Sequence, residues 1–217
     1  MRLYGLWRSS ATWRVRIALA HKNLPYEYLP VDLRKDGGEQ NAPAFREKNP
    51  MGRVPVLELD LDGKTRLLSE SMAILELLEE RWPEPPLLPR AAFLRARSRQ
   101  LAMLVVSGIQ PLQNTGVQLY IENELHVDAT PWIRHWVSSG LAATETLARE
   151  TAGTFAIGDD VSFADLCIVP QLYFARRFAI DLTPYPTLVR IDEACAKLPA
   201  FEAAHAKNMP DAPQGEK

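Results

Sequence analysis

The stretch RLYGLWRSSATWRVRIALAH, residues 2–21, decides how this chain folds. It opens as a short apolar strand, Arg2–Trp7, and turns at Ser9-Ser10 into a helix over Ser10–His21, with Ala11, Val15, Ala18 and Leu19 on one face. The segments that follow extend the pattern. Tyr26–Leu33 reads as extended, and Pro30, with no N–H to give to a ladder, argues for a sheet edge. Val54–Asp60 and Thr65–Leu68 flank Asp62-Gly63, a short hairpin signal. Ser71–Trp82 is helical again. The order β-α-β, then β-β-α, predicts one sheet packed against helices.

The chain divides at PEPPLLPR, residues 83–90, where four prolines exclude a helix interior or a central strand. This predicts a linker between a first domain over 1–82 and a second over 91–206, followed by a polar, mobile tail over 207–217. The second domain shows no strand pattern. Ala91–Gly108 predicts a long helix, which Pro111 breaks or kinks before a second helical stretch to about Leu125. Thr130-Pro131 reads as an N-cap and a first-position proline, ahead of a stripe of Ile133, Trp136, Val137, Gly140, Leu141, Thr144 and Leu147. Ser162-Phe-Ala-Asp165 fits a capping box with a shorter acid, and Val161 and Leu166 sit where a hydrophobic staple would. Pro170 is expected to kink that helix, and Thr187–Lys197 to form a further one. The expected fold class is α/β plus all-α, the second part a helical bundle.

The 217 residues suffice for one large domain or two small ones. Lys and Arg number 25 against 27 Asp and Glu, so the net charge of −2 gives no electrostatic footprint for nucleic acid or an acidic membrane. Apolar runs such as Leu101–Val106 fall far short of the roughly 18 residues that span a bilayer. Arg8 stands where a signal peptide would carry its apolar segment, and a cytoplasmic location is expected. Cys167 and Cys195 are too few for a disulfide scaffold or a zinc cluster, and the four histidines show no metal-ligand spacing. No metal is expected.

Three segments carry candidate chemistry. Ser9 and Ser10 stand at a strand-to-helix junction, where unpaired amides and a partial positive charge lower a thiol pKa. No cysteine is nearby, so a thiolate there must come from a ligand; the alternative is a simple helix cap. Pro55, directly before an apolar run, suggests a turn with a cis Val54-Pro55 bond, whose free Val54 amide and carbonyl can pair with an extended peptide. An ordinary edge strand is the alternative. At Glu70-Ser71 another helix begins: the Ser71 amide and hydroxyl suit a carboxylate and Glu70 an ammonium, the two ends of an α-amino acid. A cap with an acidic first turn explains the same pair.

Ser9-Ser10-Ala11-Thr12-Trp13-Arg14-Val15-Arg16-Ile17-Ala18-Leu19 follows the pattern S-S-C-x-W-R-V-R-I-A-L. Asn49-Pro50-Met51, Gly108–Asn114, Ala164–Gln171 and Asp181–Pro186 add matches in order. Through them the chain, from about Leu3 to Asp211, resembles the glutathione transferase superfamily, and within it the zeta class of maleylacetoacetate isomerases. The resemblance implies a thioredoxin-like N-terminal domain, a helical C-terminal domain, a homodimer, and glutathione as cofactor. It implies that Ser9 activates the glutathione sulfur, that Ser10 and the amides beside it, including that of Ala11, support it, and that Val54 pairs with the cysteinyl backbone beside a cis-Pro55. Glu70 and Ser71 would hold the γ-glutamyl end and Gln40 the glycyl end, with Gln110 and Asn114, Thr115 and Gly116 contributed by the helical domain. Two positions depart from the family: Ala11 replaces its cysteine, and Glu70 stands where the class often has glutamine.

The function so implied is conversion of maleylacetoacetate to fumarylacetoacetate by reversible thiolate addition, with glutathione regenerated. The partners are glutathione and a small dicarboxylate keto acid. Carboxylates recruit arginine for its bidentate fork. Arg8, Arg177 and Arg176 are the candidates, and Arg177 aligns better than Arg176 with the family's arginine. Maleylpyruvate isomerase is a close neighbour, similar around Tyr4–Arg8 and Ala175–Phe178, while Ser9-Ser10 and Gln113-Asn114 favour the maleylacetoacetate branch. A transferase or dehalogenase acting on small halo acids would use the same residues. A non-enzymatic interaction module would be expected to lose them, and Ser9, Val54, Glu70 and Ser71 are all present.

Overall fold

The structure, a computed structural model, describes residues 1–213 and resolves into two compact units. The first comprises Met1–Pro86 together with residues 198–213. Its elements are β1 (Arg2–Gly5), α1 (Ser10–His21), β2 (Glu27–Pro30), α2 (Pro43–Arg46), β3 (Val56–Leu61), β4 (Lys64–Ser69) and α3 (Ser71–Arg81). The strands form one sheet in the order β2-β1-β3-β4, with β2 parallel to β1 and the other neighbours antiparallel. This is the single sheet that the β-α-β, β-β-α order predicts, and its strand order is that of the thioredoxin-like domain the resemblance implies. Pro30 lies on an edge strand, and Asp62 (φ 51°) and Gly63 (φ 72°) close the β3–β4 hairpin in left-handed backbone.

β1 ends at Gly5, earlier than the expected Trp7, because the chain turns at Leu6, whose carbonyl accepts from the Ser9 amide at 3.0 Å. Gly5 is required there: a Cβ would lie 2.2 Å from Cγ2 of Thr12 in the first turn of α1. α1 is not the one-sided helix that its apolar spacing suggests. Every residue from Thr12 to Leu19 is buried, Arg14 and Arg16 included. Both guanidinium groups find partners inside, Ser71 Oγ for Arg14 and the carbonyls of Trp7 and Ala204 for Arg16.

The second unit, Leu87–Lys197, is all-helical. It contains α4 (Ala92–Met103), α5 (Gln110–Gln113), α6 (Thr115–Asn123), α7 (Thr130–Ala148), α8 (Phe163–Arg177) and α9 (Pro186–Cys195). The long helix expected over Ala91–Gly108 stops being α-helical at Met103, and Leu104–Ile109 is π-helical. Pro111 explains the widening, since it has no N–H for the Ser107 carbonyl four residues back. Thr130 is not the N-cap of α7. Ala129 holds that position, and Asp128 accepts from the Thr130 amide at 2.8 Å, so the aspartate closes the turn that the threonine was expected to close. Ile133, Val137, Leu141 and Thr144 of the predicted stripe are buried, and Glu145 joins them. Its carboxylate accepts from the Thr187 and Leu188 amides and thereby caps α9.

The capping box at Ser162–Asp165 forms, flanked by buried Val161 and Leu166. Asp165 accepts from the Ser162 amide and the Ala156 amide, each at 2.8 Å, and from Ser162 Oγ at 2.9 Å. Burial pushes its carboxyl up to about 6 against the pull of these donors. α8 continues through Pro170 as one helix.

The proline-rich stretch is divided between the units. Lys22 Nζ holds the carbonyls of Trp82 (2.7 Å) and Pro85 (2.9 Å) and pairs with Glu79, which fixes the first half to α1. Leu87 is fully buried and its carbonyl accepts from the Phe163 amide, so the second half belongs to the helical unit. The chain then returns to the first unit through α10 (Pro199–Ala203), which packs on α1. Residues 207–213 are not the loose tail expected from composition. Met209 and Ala212 are buried, and Asp211 bonds to the Trp7 amide and to Tyr28. The remaining tail residues, 214–217, lie outside the described residues.

Candidate active site

The sheet register brings the predicted segments of the first unit to one end. Tyr4 pairs with Val56, Val56 pairs with Ser69, and Gly5 pairs with Pro30. The chain therefore leaves β1 toward Ser9, enters β3 from Val54-Pro55, leaves β4 into Glu70-Ser71, and leaves β2 toward Gln40, all at the same edge. Val54 and Leu33 share an apolar cluster with Tyr4, Val31, Phe45 and Val56, which fixes the Val54 turn beside the segment that leads to Gln40.

Ser9 is the N-cap of α1, in extended backbone, and its Oγ accepts from the Thr12 amide at a long 3.3 Å. Its hydroxyl proton has no acceptor among the described residues. Ser10 and Ala11 form the first turn of α1, at the positive end of the helix. The Val54-Pro55 bond is cis, and the ladder of β3 begins only at Val56, so the Val54 amide and carbonyl stay outside it. Glu70 is exposed in left-handed backbone (φ 66°), and Ser71 is buried at the first position of α3. Gln40 is half-buried, donates weakly to the Leu33 carbonyl at 3.4 Å, and leaves Oε1 buried with no partner. Arg8 is half-buried, its guanidinium 5.6 Å from the Trp7 ring centre.

Arg14 is the residue that sequence reasoning missed. Its NH1 donates to Ser71 Oγ at 2.7 Å from a fully buried position. It therefore puts a positive charge behind the hydroxyl proposed to meet a carboxylate. The signal was present in the sequence, as an Arg-Val-Arg alternation inside an otherwise apolar helix.

The other predicted residues lie in the second unit. Gln110 opens α5, and Asn114 is the N-cap of α6, its Oδ1 accepting from the Gly116 amide at 2.8 Å, with Thr115 between them. Two of the quoted motifs meet here: Gln113 and Gln171 exchange reciprocal amide hydrogen bonds of 3.0 and 2.8 Å in the interior. Arg176 and Arg177 end α8 and differ in availability. Arg176 pairs with Asp192 at 2.6 Å, whereas exposed Arg177 has no acidic partner among the described residues.

A thioredoxin-like sheet, a hydroxyl at the start of its first helix, a cis-proline and a second helix start at Glu70-Ser71 together define a glutathione transferase domain. A family model described as the glutathione S-transferase N-terminal domain matches residues 8–81. The maleylacetoacetate isomerase of Rattus norvegicus is 46% identical over 213 residues, 97% of this chain and 94% of that one. A crystal structure of maleylacetoacetate isomerase from Anaeromyxobacter dehalogenans, with glutathione bound in its active site, shares 54% identity over 98% of this chain and 97% of that one, with a TM-score of 0.90. The holo structure of a bacterial zeta-class maleyl pyruvate isomerase shares 40% identity over 98% and 100%, with a TM-score of 0.92. The chain belongs to the zeta-class glutathione transferase and maleylacetoacetate isomerase family.

The residues present fit glutathione. The tripeptide needs a donor for its sulfur, a strand-like backbone partner, and a paired carboxylate and ammonium site. The first unit supplies Ser9, the unladdered Val54, and Ser71 with Glu70. The orphaned Oε1 of Gln40 adds a buried polar atom in want of a partner.

Proposed function

We propose that this chain is a glutathione-dependent cis–trans isomerase converting maleylacetoacetate to fumarylacetoacetate. The observation that carries it is Ser9, whose hydroxyl proton is uncommitted at the positive end of α1 in a unit without cysteine. When bound, glutathione supplies the thiol nucleophile whose reversible addition lets a conjugated double bond rotate. The protein's own part is to lower that thiol's pKa. Ser9 donates a hydrogen bond to the sulfur, and Ser10 with the first-turn amides, including that of Ala11, supplies the partial positive charge. Val54 pairs with the cysteinyl backbone beside Pro55. Ser71, backed by Arg14, takes the γ-glutamyl carboxylate, Glu70 takes the ammonium, and Gln40 takes the glycyl end. Gln110, Asn114, Thr115 and Gly116 are the contributions of the helical unit.

Arg8 and Arg177 are assigned to the carboxylates of the keto acid. Arg177 is preferred to Arg176 because Arg176 is already paired with Asp192. With Ala11 in place of the family cysteine, no thiol competes with that of glutathione beside Ser9. The assignment includes a homodimer and a cytoplasmic location, where free glutathione and reduced, buried Cys167 and Cys195 coexist.

Maleylpyruvate is the second substrate to weigh, because the zeta-class maleyl pyruvate isomerase shares the fold so closely. The test is kcat/KM for both keto acids at a fixed catalytic concentration of glutathione. Preference for maleylacetoacetate supports the proposal. Preference for maleylpyruvate replaces it, and consumption of glutathione with small halo acids alone would assign transferase or dehalogenase chemistry.

A further inference from the structure

The loop that carries Ser9 is held by the other end of the chain. Between the end of β1 at Gly5 and the start of α1 at Ser10, the backbone of Trp7 belongs to neither element. Both of its polar groups are nonetheless taken, and each by a charged side chain. The Trp7 amide donates to Asp211 Oδ2 at 2.9 Å. The Trp7 carbonyl accepts from Arg16 NH2 at 2.8 Å, while Arg16 Nε donates to the Ala204 carbonyl at 3.1 Å. Asp211 Oδ2 also accepts from the Tyr28 hydroxyl at 3.2 Å, and the Arg16 guanidinium lies 5.8 Å from the centre of the Tyr28 ring. Trp7 and Ala204 are buried, Arg16 is fully so, and Asp211 Oδ1 has no exposure. Charge-assisted hydrogen bonds in such surroundings are among the stronger ones available for fixing a backbone.

We infer that Asp211 is a positioning residue for the thiol-activating hydroxyl: the C-terminal segment sets the Trp7–Ser9 loop by gripping the Trp7 peptide from behind. This rests on the proposed role of Ser9. The geometry is otherwise hard to motivate. A cap for α1 needs only Ser9, and β1 is already paired on both sides with β2 and β3. What Asp211 and Arg16 add is a fixed position for a peptide two residues ahead of Ser9. Within the loop, the Ser9 amide donates to the Leu6 carbonyl at 3.0 Å. If Asp211 lets go, the loop can relax while sheet and helix stay intact, and a hydroxyl displaced by a fraction of an ångström loses its line to a sulfur.

The test is ultraviolet titration of the thiol of bound glutathione, with isomerase kcat and glutathione KM measured on the full chain. The proteins are the wild type, Asp211→Ala and Asp211→Asn. Asp211→Ala removes the acceptor for the Trp7 amide; Asp211→Asn keeps an acceptor there but removes the charge. For Asp211→Ala the expected result is a bound-thiol pKa raised by about one unit and kcat lowered about tenfold, with glutathione KM changed by less than about threefold. Asp211→Asn should lie between it and the wild type. If Asp211→Ala is poorly folded, the same shift in smaller measure is required of Asp211→Asn. A wild-type thiol pKa and kcat in folded Asp211→Ala, or in folded Asp211→Asn where the alanine variant fails to fold, overturns the inference and leaves Asp211 a structural anchor. Failure of the wild type itself to depress the glutathione thiol overturns the role of Ser9 instead, so the two failures are distinct.

Discussion

Replacing Ser9 by alanine separates its two possible roles, cap and sulfur ligand, because they differ in magnitude. The cap is weak. Ser9 Oγ lies 3.3 Å from the Thr12 amide, beyond the usual hydrogen-bond distance, and α1 is buried from Thr12 to Leu19 and so is held by packing. Loss of the cap should cost about 0.5–1 kcal/mol, a melting shift of no more than about 4 °C for a chain of this size. A hydrogen bond to a charged sulfur contributes about 1.5–3 kcal/mol, which converts to a loss of about 10- to 150-fold in turnover. The assay is isomerase turnover of Ser9→Ala with catalytic glutathione, alongside its thermal unfolding. The expected result is near-native melting with turnover down by that factor, recovered in part at higher pH, where more of the bound thiol ionises unaided. Unchanged turnover would refute the assignment of Ser9. So would a turnover loss that merely follows a large drop in melting temperature.

Three further outcomes are expected. Arg177→Leu should raise KM for the keto acid by about tenfold while leaving glutathione KM unchanged, and Arg176→Leu should leave both KM values unchanged, since its guanidinium is already paired with Asp192; steady-state kinetics on both variants decides. Asp165→Ala should destabilise the helical unit by about 2–5 kcal/mol in denaturant unfolding, because it strands the buried amides of Ala156 and Ser162. His205 is held below its ordinary value of 6.5, chiefly by burial, and its Nδ1 accepts from the Lys207 amide. The unfolded chain therefore takes up a proton before the folded one, so this group's contribution is full above 6.5 and is lost as pH falls below it; the stability of the wild type relative to His205→Asn should drop on acidification, as measured by melting at a series of pH values.

The fold was legible where one residue type has few places to go. Pro30 at an edge, Asp62-Gly63 at a hairpin and Ser162–Asp165 at a helix start each carry a local constraint that tertiary context did not override. What was not legible came from groups far apart in sequence. Arg14 and Arg16 look like the polar face of a helix and are buried, because their partners Ser71 and Ala204 lie 57 and 188 residues away. Asp211 looks like part of a polar tail until Trp7 is seen beside it. The π-helical turns over Leu104–Ile109 follow from Pro111, but proline signals a break without saying whether a helix will kink, stop or widen. At the site, the three candidate segments could be found one at a time from helix starts and an odd proline. That they share one edge follows only from the register of β1, β3 and β4.

The proposed isomerisation uses glutathione without consuming it. Purified protein should be mixed with maleylacetoacetate and glutathione well below the substrate concentration, and the product and remaining free thiol followed by NMR. Many fumarylacetoacetate molecules per glutathione are expected, with the thiol fully recovered. A single turnover that leaves a stable glutathione conjugate, or no turnover although glutathione binds, would contradict it.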